Sequence, residues 1–382
     1  MAKICVIADL DQYHSRRWIG YFLAGNEITL VYYKKNPKFE RFREEFLTEN
    51  LKNPKFKPVF LPLRKFNIFD YVLFVIRLLI ISRKEGINIF YVHYVSIAAY
   101  LSAFITKVKY VLCPWGSDIL IDPYKSIVLN HMVKKAVKRA DVITANSKYL
   151  AEGCKKLGAS EKVIRLVQLG IDLDVFHPGV DTKALKDKYS IKSTDKIVLS
   201  ARNFRSLYNI DMIVRSIPET VARVADVKFI LMTGQGPDTD YTERMGKMVS
   251  DLGIADKVIF VGGVRHAEMA AYYCMSNIVI SVPSSDSSPS FLHEAMACAV
   301  PPIVSDLPSI KELFTQDVNA EIVPQKDHKS LAKAAINLLE DDEKRRRYAE
   351  FNLDLVKKIS DVRKNVLQIQ KIFDMLEKSG AD

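Results

Sequence analysis

The stretch Ile278–Ser305 reads IVISVPSSDSSPSFLHEAMACAVPPIVS. Ile278–Val282 is an apolar run of strand length, and a loop of serine and proline follows. A helical pattern then opens near Ser290 and runs over Phe291–Cys298, and Pro302–Ser305 is a second short apolar run. Strand, loop, helix and strand in this order are the pattern of a parallel sheet with crossover helices. A helix that starts just after a strand offers unpaired backbone N–H groups and a positive dipole end, which favour a phosphate. Asp286 lies in the loop and Glu294 eight residues later on the helix, so the two carboxylates can grip different hydroxyls of one extended ligand. An equal alternative is a helix capped by Ser290 with two solvated acids.

The same alternation extends through both halves of the chain. Strand patterns occur at residues 4–8, 27–33, 57–61, 87–93, 110–114, 142–146 and 163–168, with helical patterns between them. It restarts with strands at 196–200, 228–233 and 257–261, before the stretch quoted above. The turn His177-Pro178-Gly179 and the polar run to Asp195 read as a linker. The expected fold is therefore α/β, with two Rossmann-like domains facing across a cleft. The first covers 1–178 and the second 179–360. A C-terminal helix over 361–382 is expected to cross back to the first domain.

A chain of 382 residues, with 48% hydrophobic and 26% charged residues, holds enough apolar material for two cores and excludes disorder. The net charge of +11 is unevenly spread. Residues 1–180 hold 28 Lys/Arg against 16 Asp/Glu, and the rest of the chain holds 28 against 29. This asymmetry points the first half at an anionic partner, with a solvated basic face as the plain alternative. Five cysteines, none in CxxC spacing, predict a reduced cytosolic compartment and no structural metal. No secretory signal is read at the N-terminus. The apolar run 66–81 contains Asp70 and Arg77 and is too short to span a bilayer.

The segment from Asp286 to Glu294 resembles the carboxylate-x7-Glu signature of retaining GT-B glycosyltransferases, particularly glycosyltransferase family four. Glu294-Ala295-Met296-Ala297-Cys298 matches the second half of that signature. Asp286 stands where the family has a first Glu, Ser287–Ser290 replace its glycine-rich loop, and Ala299 replaces a Gly. Trp115-Gly116-Ser117-Asp118, Val142–Ser147, Gly170-Ile171-Asp172 with Phe176, and Asp256–Gly262 with Tyr272-Tyr273 resemble further family segments in the family's order.

The resemblance implies a nucleotide-sugar donor, UDP-linked first and GDP-mannose next, and a glycan or lipid-linked acceptor. It assigns Glu294 to the ribose hydroxyls, Asp286 to the donor sugar, and the backbone at Ser290 and Phe291 to the diphosphate. Arg202 would neutralise the leaving group, as a bidentate guanidinium is suited to do. The family's following Lys is absent: Arg205 is the candidate second charge, and Tyr208 falls near the Lys position. Gly234 and Val264 would line the nucleotide pocket. His93 and Asp118 would face the donor sugar or acceptor; a core-edge histidine and a helix cap are their plain readings. Asp11, Gln12 and Tyr13 replace a Gly-Gly pair and are candidates for acceptor recognition. No metal or other cofactor is expected.

Between Tyr33 and Phe69, ten Lys/Arg interleave with phenylalanines. Stretch 33–69 is therefore the candidate contact with an anionic membrane surface, which would place the enzyme in the cytoplasm, peripheral on the membrane. No nucleic-acid motif is present. The alternatives are a nucleotide-sugar epimerase of the same architecture, or a basic membrane- or nucleic-acid-binding non-enzyme.

Overall fold

The computed structural model describes residues 2–23, 26–64, 67–234 and 238–378, apart from the side chain of Tyr13. Lys65 and Phe66, within stretch 33–69, lie outside the described residues. The chain divides into two compact units, Met1–Leu169 with Arg363–Asp382, and Gly170–Val362.

In the first unit the strands are β1 (Lys3–Ala8), β2 (Glu27–Tyr32), β3 (Phe56–Phe60), β4 (Ile89–His93), β5 (Lys109–Cys113), β6 (Val142–Ala145) and β7 (Ile164–Leu166). Their order is β3-β2-β1-β4-β5-β6-β7, all parallel. The helices are α1 (Tyr13–Phe22), α2 (Glu40–Asn50), α3 (Ile68–Glu85), α4 (Ile97–Ser102), α5 (Ser117–Leu120), α6 (Ile127–Arg139) and α7 (Lys148–Lys156).

The second unit has strands β8 (Lys196–Ser200), β9 (Val227–Gly234), β10 (Val258–Gly262), β11 (Ile278–Ser281), β12 (Pro302–Ser305) and β13 (Glu321–Val323). These are also parallel, in the order β10-β9-β8-β11-β12-β13. Its helices are α8 (Lys183–Lys188), α9 (Ile210–Arg223), α10 (Thr239–Asp251), α11 (Met269–Cys274), α12 (Ser290–Ala297), α13 (His328–Glu340) and α14 (Asp342–Ile359), before α15 (Val362–Lys378).

The central strands β4 and β11 are buried at every position. That follows from helices covering both faces of a parallel sheet, which demands continuous apolar runs. Side-chain caps set several helix starts: Asn67, Ser126 and Ser147 each accept from a backbone N–H in the first turn of α3, α6 and α7. The edge strand β13 has only three residues, one of them Glu321, and carried no strand pattern in the sequence.

The expected boundary at 178/179 is corrected to Leu169/Gly170. Ile171 and Phe176 are buried in the apolar core beneath the second sheet, so residues 170–178, expected in the first domain, belong to the second unit. The two chain crossings run side by side. Ile171 N donates to Ser360 O at 2.7 Å, and Val362 N donates to Ile171 O at 3.0 Å. A Cβ at Gly170 would lie 2.4 Å from Val362 Cα, so only glycine fits there. Beyond the second crossing, Phe373 of α15 packs against Phe22 and Tyr91, with ring centroids 5.9 and 5.3 Å apart. Gln370 accepts from Asn26 Nδ2 at 2.7 Å.

Stretch 33–69 is not one basic–aromatic surface. Phe46 and Phe56 are buried edge to face at 6.0 Å, because α2 folds back over the sheet edge. Arg43 is 2% exposed and bonds Asp11 Oδ1 at 2.7 Å. Asp11 also accepts from Asn36 N, so this loop acid joins α1 to its neighbours.

Candidate functional site

The second unit gathers its charged groups at the carboxyl ends of β8 and β11. Ligands bind in such sheets at these neighbouring ends, where the strand order reverses. The loop after β8 carries Arg202, and its Nη2 donates to Asp286 Oδ2 at 2.7 Å. The guanidinium carbon lies 3.9 Å from the Tyr208 ring centroid and 4.9 Å from that of Phe291. Cation–π contact and the ion pair together fix its plane. Arg202 Nε is buried with no hydrogen-bond partner among the described residues. This donor is open to a ligand at the strand ends.

Neighbouring backbone holds the two loops together. Asn209, in the left-handed region at φ 49°, donates from Nδ2 to Val282 O at 2.8 Å. Ser284 N donates to Leu207 O at 2.9 Å. Asp286 Oδ1 accepts from Ser287 N, and Asp286 O accepts from Ser309 Oγ. Gly234, at φ 79°, closes the end of β9 against Asn203. A Cβ there would fall 1.6 Å from Asn203 Oδ1, so glycine is required by a real close approach as well as by its dihedral.

α12 begins at Ser290, and the residue before it, Pro289, gives no side-chain cap. Ser290 is therefore the first helical residue and not the capping residue. Leu292 N donates to Pro289 O at 3.0 Å, which leaves the N–H groups of Ser290 and Phe291 as the open donors of this first turn among the described residues. One turn further in, Glu294 is 4% exposed. His266 Nε2 lies 2.9 Å from its Oε1, and Tyr273 Oη donates to its Oε2 at 3.0 Å. Phe176 flanks both partners, with ring centroids 4.8 Å from His266 and 6.0 Å from Tyr273. Side chains on both oxygens thus fix the orientation of this carboxylate. Behind it, His293 bridges Ser288 Oγ and Ser360 Oγ, which ties the serine loop to the end of α14.

Comparison with known proteins identifies this arrangement. Residues 3–147 match the model described as "Glycosyl transferase 4-like", and residues 181–353 match "Glycosyl transferases group 1". The chain is 30% identical over 278 residues to the N-acetyl-alpha-D-glucosaminyl L-malate synthase of Bacillus anthracis, covering 71% of this chain and 70% of that enzyme. The chain belongs to the group 1 glycosyl transferases.

A GDP-mannose-dependent phosphatidylinositol monomannoside mannosyltransferase of Mycolicibacterium smegmatis is 26% identical, covering 53% of this chain and 54% of that one. Among solved structures, Anabaena HepE in complex with UDP superposes with a TM-score of 0.82 at 15% identity, over 98% of this chain and 100% of that one. Sucrose-phosphate synthase of Thermosynechococcus elongatus gives 0.83 at 18%, over 99% and 100%. These likenesses establish the GT-B fold of two Rossmann-like domains. The readings as an epimerase or a non-enzymatic binder are set aside in favour of the transferase.

Two further residues that the resemblance assigned to this glycosyltransferase's site have the following surroundings. Arg205 is exposed, and its guanidinium makes no hydrogen bond or ion pair among the described residues. The position beside Arg202 goes to Tyr208 instead, so an aromatic face takes the place expected for a second cation. Val264 is half-buried and packs on the core beneath the second sheet.

In the first unit His93 ends β4 fully buried, with neither ring nitrogen hydrogen-bonded. Burial holds its pKa down at about 3, so the ring is neutral. Tyr91 and Trp115 enclose it, with centroids 4.6 and 5.8 Å away. Asp118 is also fully buried, within α5, and accepts from the backbone N–H groups of Val95, Trp115 and Gly116. Burial pushes its carboxyl up to about 6 against these donors. In the structure Asp118 braces the loops after β4 and β5 through these backbone donors.

His266 carried no signal in the sequence, because an isolated histidine 28 positions before its carboxylate has no motif. Phe176 and Tyr273 stood in the segments that resemble the family, though without an assigned role. Cys274 and Cys298 lie far apart in sequence, yet their interaction draws the Cys274 thiol down and pushes the Cys298 thiol up, while Cys274 Sγ donates to His177 O at 3.3 Å.

Proposed function

We propose that this enzyme transfers a sugar, with retention at the anomeric carbon, from a UDP-sugar to a hydroxyl of a glycan or lipid-linked acceptor. The observation that carries the reading is Arg202. It is a half-buried guanidinium, stacked and ion-paired, with an unpaired buried Nε beside the uncapped start of α12. In the proposed reaction the bond from the anomeric carbon to the diphosphate breaks. Arg202 and the first N–H groups of α12 take up the charge that develops on the departing nucleoside diphosphate. The acceptor oxygen bonds to the same face of the anomeric carbon, and its proton passes to the leaving phosphate. Glu294, oriented by His266 and Tyr273, accepts from the two ribose hydroxyls. Asp286 accepts from hydroxyls of the sugar and shares Arg202 with the phosphate.

The positive charge of Arg202 takes the part that a divalent metal plays in other transferases, so chelation leaves the rate unchanged. Among the described residues no group of three or more His, Cys, Asp or Glu stands together. The UDP held by HepE supports a uridine donor, and the GDP-mannose named for the mycolicibacterial relative makes that donor the runner-up. The enzyme would work in the cytoplasm at an anionic membrane surface. Among the described residues no helix is long and apolar enough to cross a membrane. A thermal-shift panel of UDP-, GDP-, ADP- and dTDP-sugars tests the donor. Stabilisation that rises with the concentration of one nucleotide class supports the site, and a flat response to all four refutes it.

A further inference from the structure

Helix α3 turns Asp70, Phe74, Leu78 and Ser82 inward at intervals of four residues. Its opposite face should be polar in a surface helix. It carries instead Phe69, Val72, Leu73, Ile76 and Ile80, at the spacing of one helical stripe, and these are 46–77% exposed. The other outward positions are Ile68, also apolar, and Arg77, Arg83 and Lys84. No carboxylate joins them. Asp70 points inward to Arg64, and Glu85 is paired with Lys57.

α4 packs against both α3 and α6. Just after it, Phe104 is half-exposed beneath the Lys135 ammonium, which lies 5.2 Å from its centroid. α6 begins with Ile127 and Val128, 90% and 67% exposed, and continues with exposed Lys134, Lys135 and Lys138. Its sequence contains no acid.

We propose that α3 and the start of α6 form the face by which this enzyme docks on an anionic lipid bilayer. Apolar side chains ringed by cations match the boundary where acyl chains meet negative headgroups. A second copy of the chain would set one cationic rim against another. Nucleic acid offers phosphates to such a rim but nothing to the aliphatic centre. The inference rests on the membrane clause of the proposed function and moves the contact from stretch 33–69 as a whole to a bare face that shares only the end of that stretch, at Phe69.

Co-sedimentation of the full chain with vesicles of equimolar phosphatidylglycerol and phosphatidylcholine, and with phosphatidylcholine alone, tests it. Binding is expected to the first and not the second, and to weaken with salt. The pair Phe69→Glu and Ile76→Glu should cut partitioning by about tenfold or more. The pair Lys38→Glu and Lys52→Glu, exposed residues of stretch 33–69, should change it by less than about twofold. Circular dichroism checks the fold, and Val72→Ser with Ile80→Ser repeats the test without added charge if the glutamate pair misfolds.

Full binding by both apolar pairs, or equal binding to neutral vesicles, overturns the proposal. So does a dimer, or a nucleic-acid complex, that forms in place of vesicle binding and is lost in the apolar variants. No donor or acceptor is present in this assay. An inactive chain that binds vesicles refutes only the transfer reading, and an active chain that ignores vesicles refutes only the docking face.

Discussion

In both units the first strand of the sheet ends beside the fourth, with the strand order reversing between them. In the second unit these two ends lead to Arg202 and Asp286, half-buried and bonded to each other. In the first unit they lead to Asp9 and His93. Asp9 is 3% exposed and paired with Lys34, and His93 is sealed among aromatic rings. One topology thus offers the same position twice, and the side chains decide whether it presents charge or buries a neutral ring. A crossover fold positions a site, but it does not supply the chemistry.

The sharpest way to break this contrast is Arg202→Ala. If the second unit's strand ends carry the reaction, the rate of sugar transfer should fall by about 10²–10³-fold, as for loss of one oriented donor to a developing charge. A full rate would dissolve the distinction between the two ends. Glu294→Ala comes next. Loss of a fixed carboxylate under two ribose hydroxyls should weaken nucleotide binding by about 1.5–3 kcal/mol, read as a rise in Kd by calorimetry.

On the other side of the comparison, His93→Phe should act on stability through pH. The native ring resists protonation until about pH 3, whereas the unfolded chain takes up that proton near pH 6.5. The wild type therefore loses stability from this residue as pH falls through that window, and the variant does not. Relative stability of the variant should rise on acidification by at most about 1.4 kcal/mol per pH unit, checked by urea unfolding at several pH values. Asp118, raised to about 6, acts in the opposite sense. Its native carboxyl holds a proton between about pH 6 and 4 that the unfolded chain releases, so the two groups offset each other in the wild type. The smallest effect is expected at Tyr208. Tyr208→Leu removes one face of the stack on Arg202, worth about 0.5–2 kcal/mol, and should show as a severalfold rise in the donor KM with the fold unchanged.

The order of strands and helices was legible because parallel strands covered on both faces need unbroken apolar runs, and such runs stand out against polar turns. Glu294 and the start of α12 were legible for a related reason: strand, loop and helix end are local features within a few residues. β13 escaped because three edge residues form no pattern, and the unit boundary because Phe176 is buried only when a distant sheet receives it.

The sequence by itself determined the fold class, the family's carboxylates and arginine, and the excess of positive charge in the first half. Only the tertiary structure decided where those charges stand and what surrounds them. It set Tyr208 rather than Arg205 against Arg202, and brought His266 to Glu294. It buried Asp118 among backbone amides, and left bare the apolar stripe of α3 while burying Phe46 and Phe56 of stretch 33–69. Side-chain company and exposure depend on contacts between residues far apart in the chain, and no local pattern encodes those.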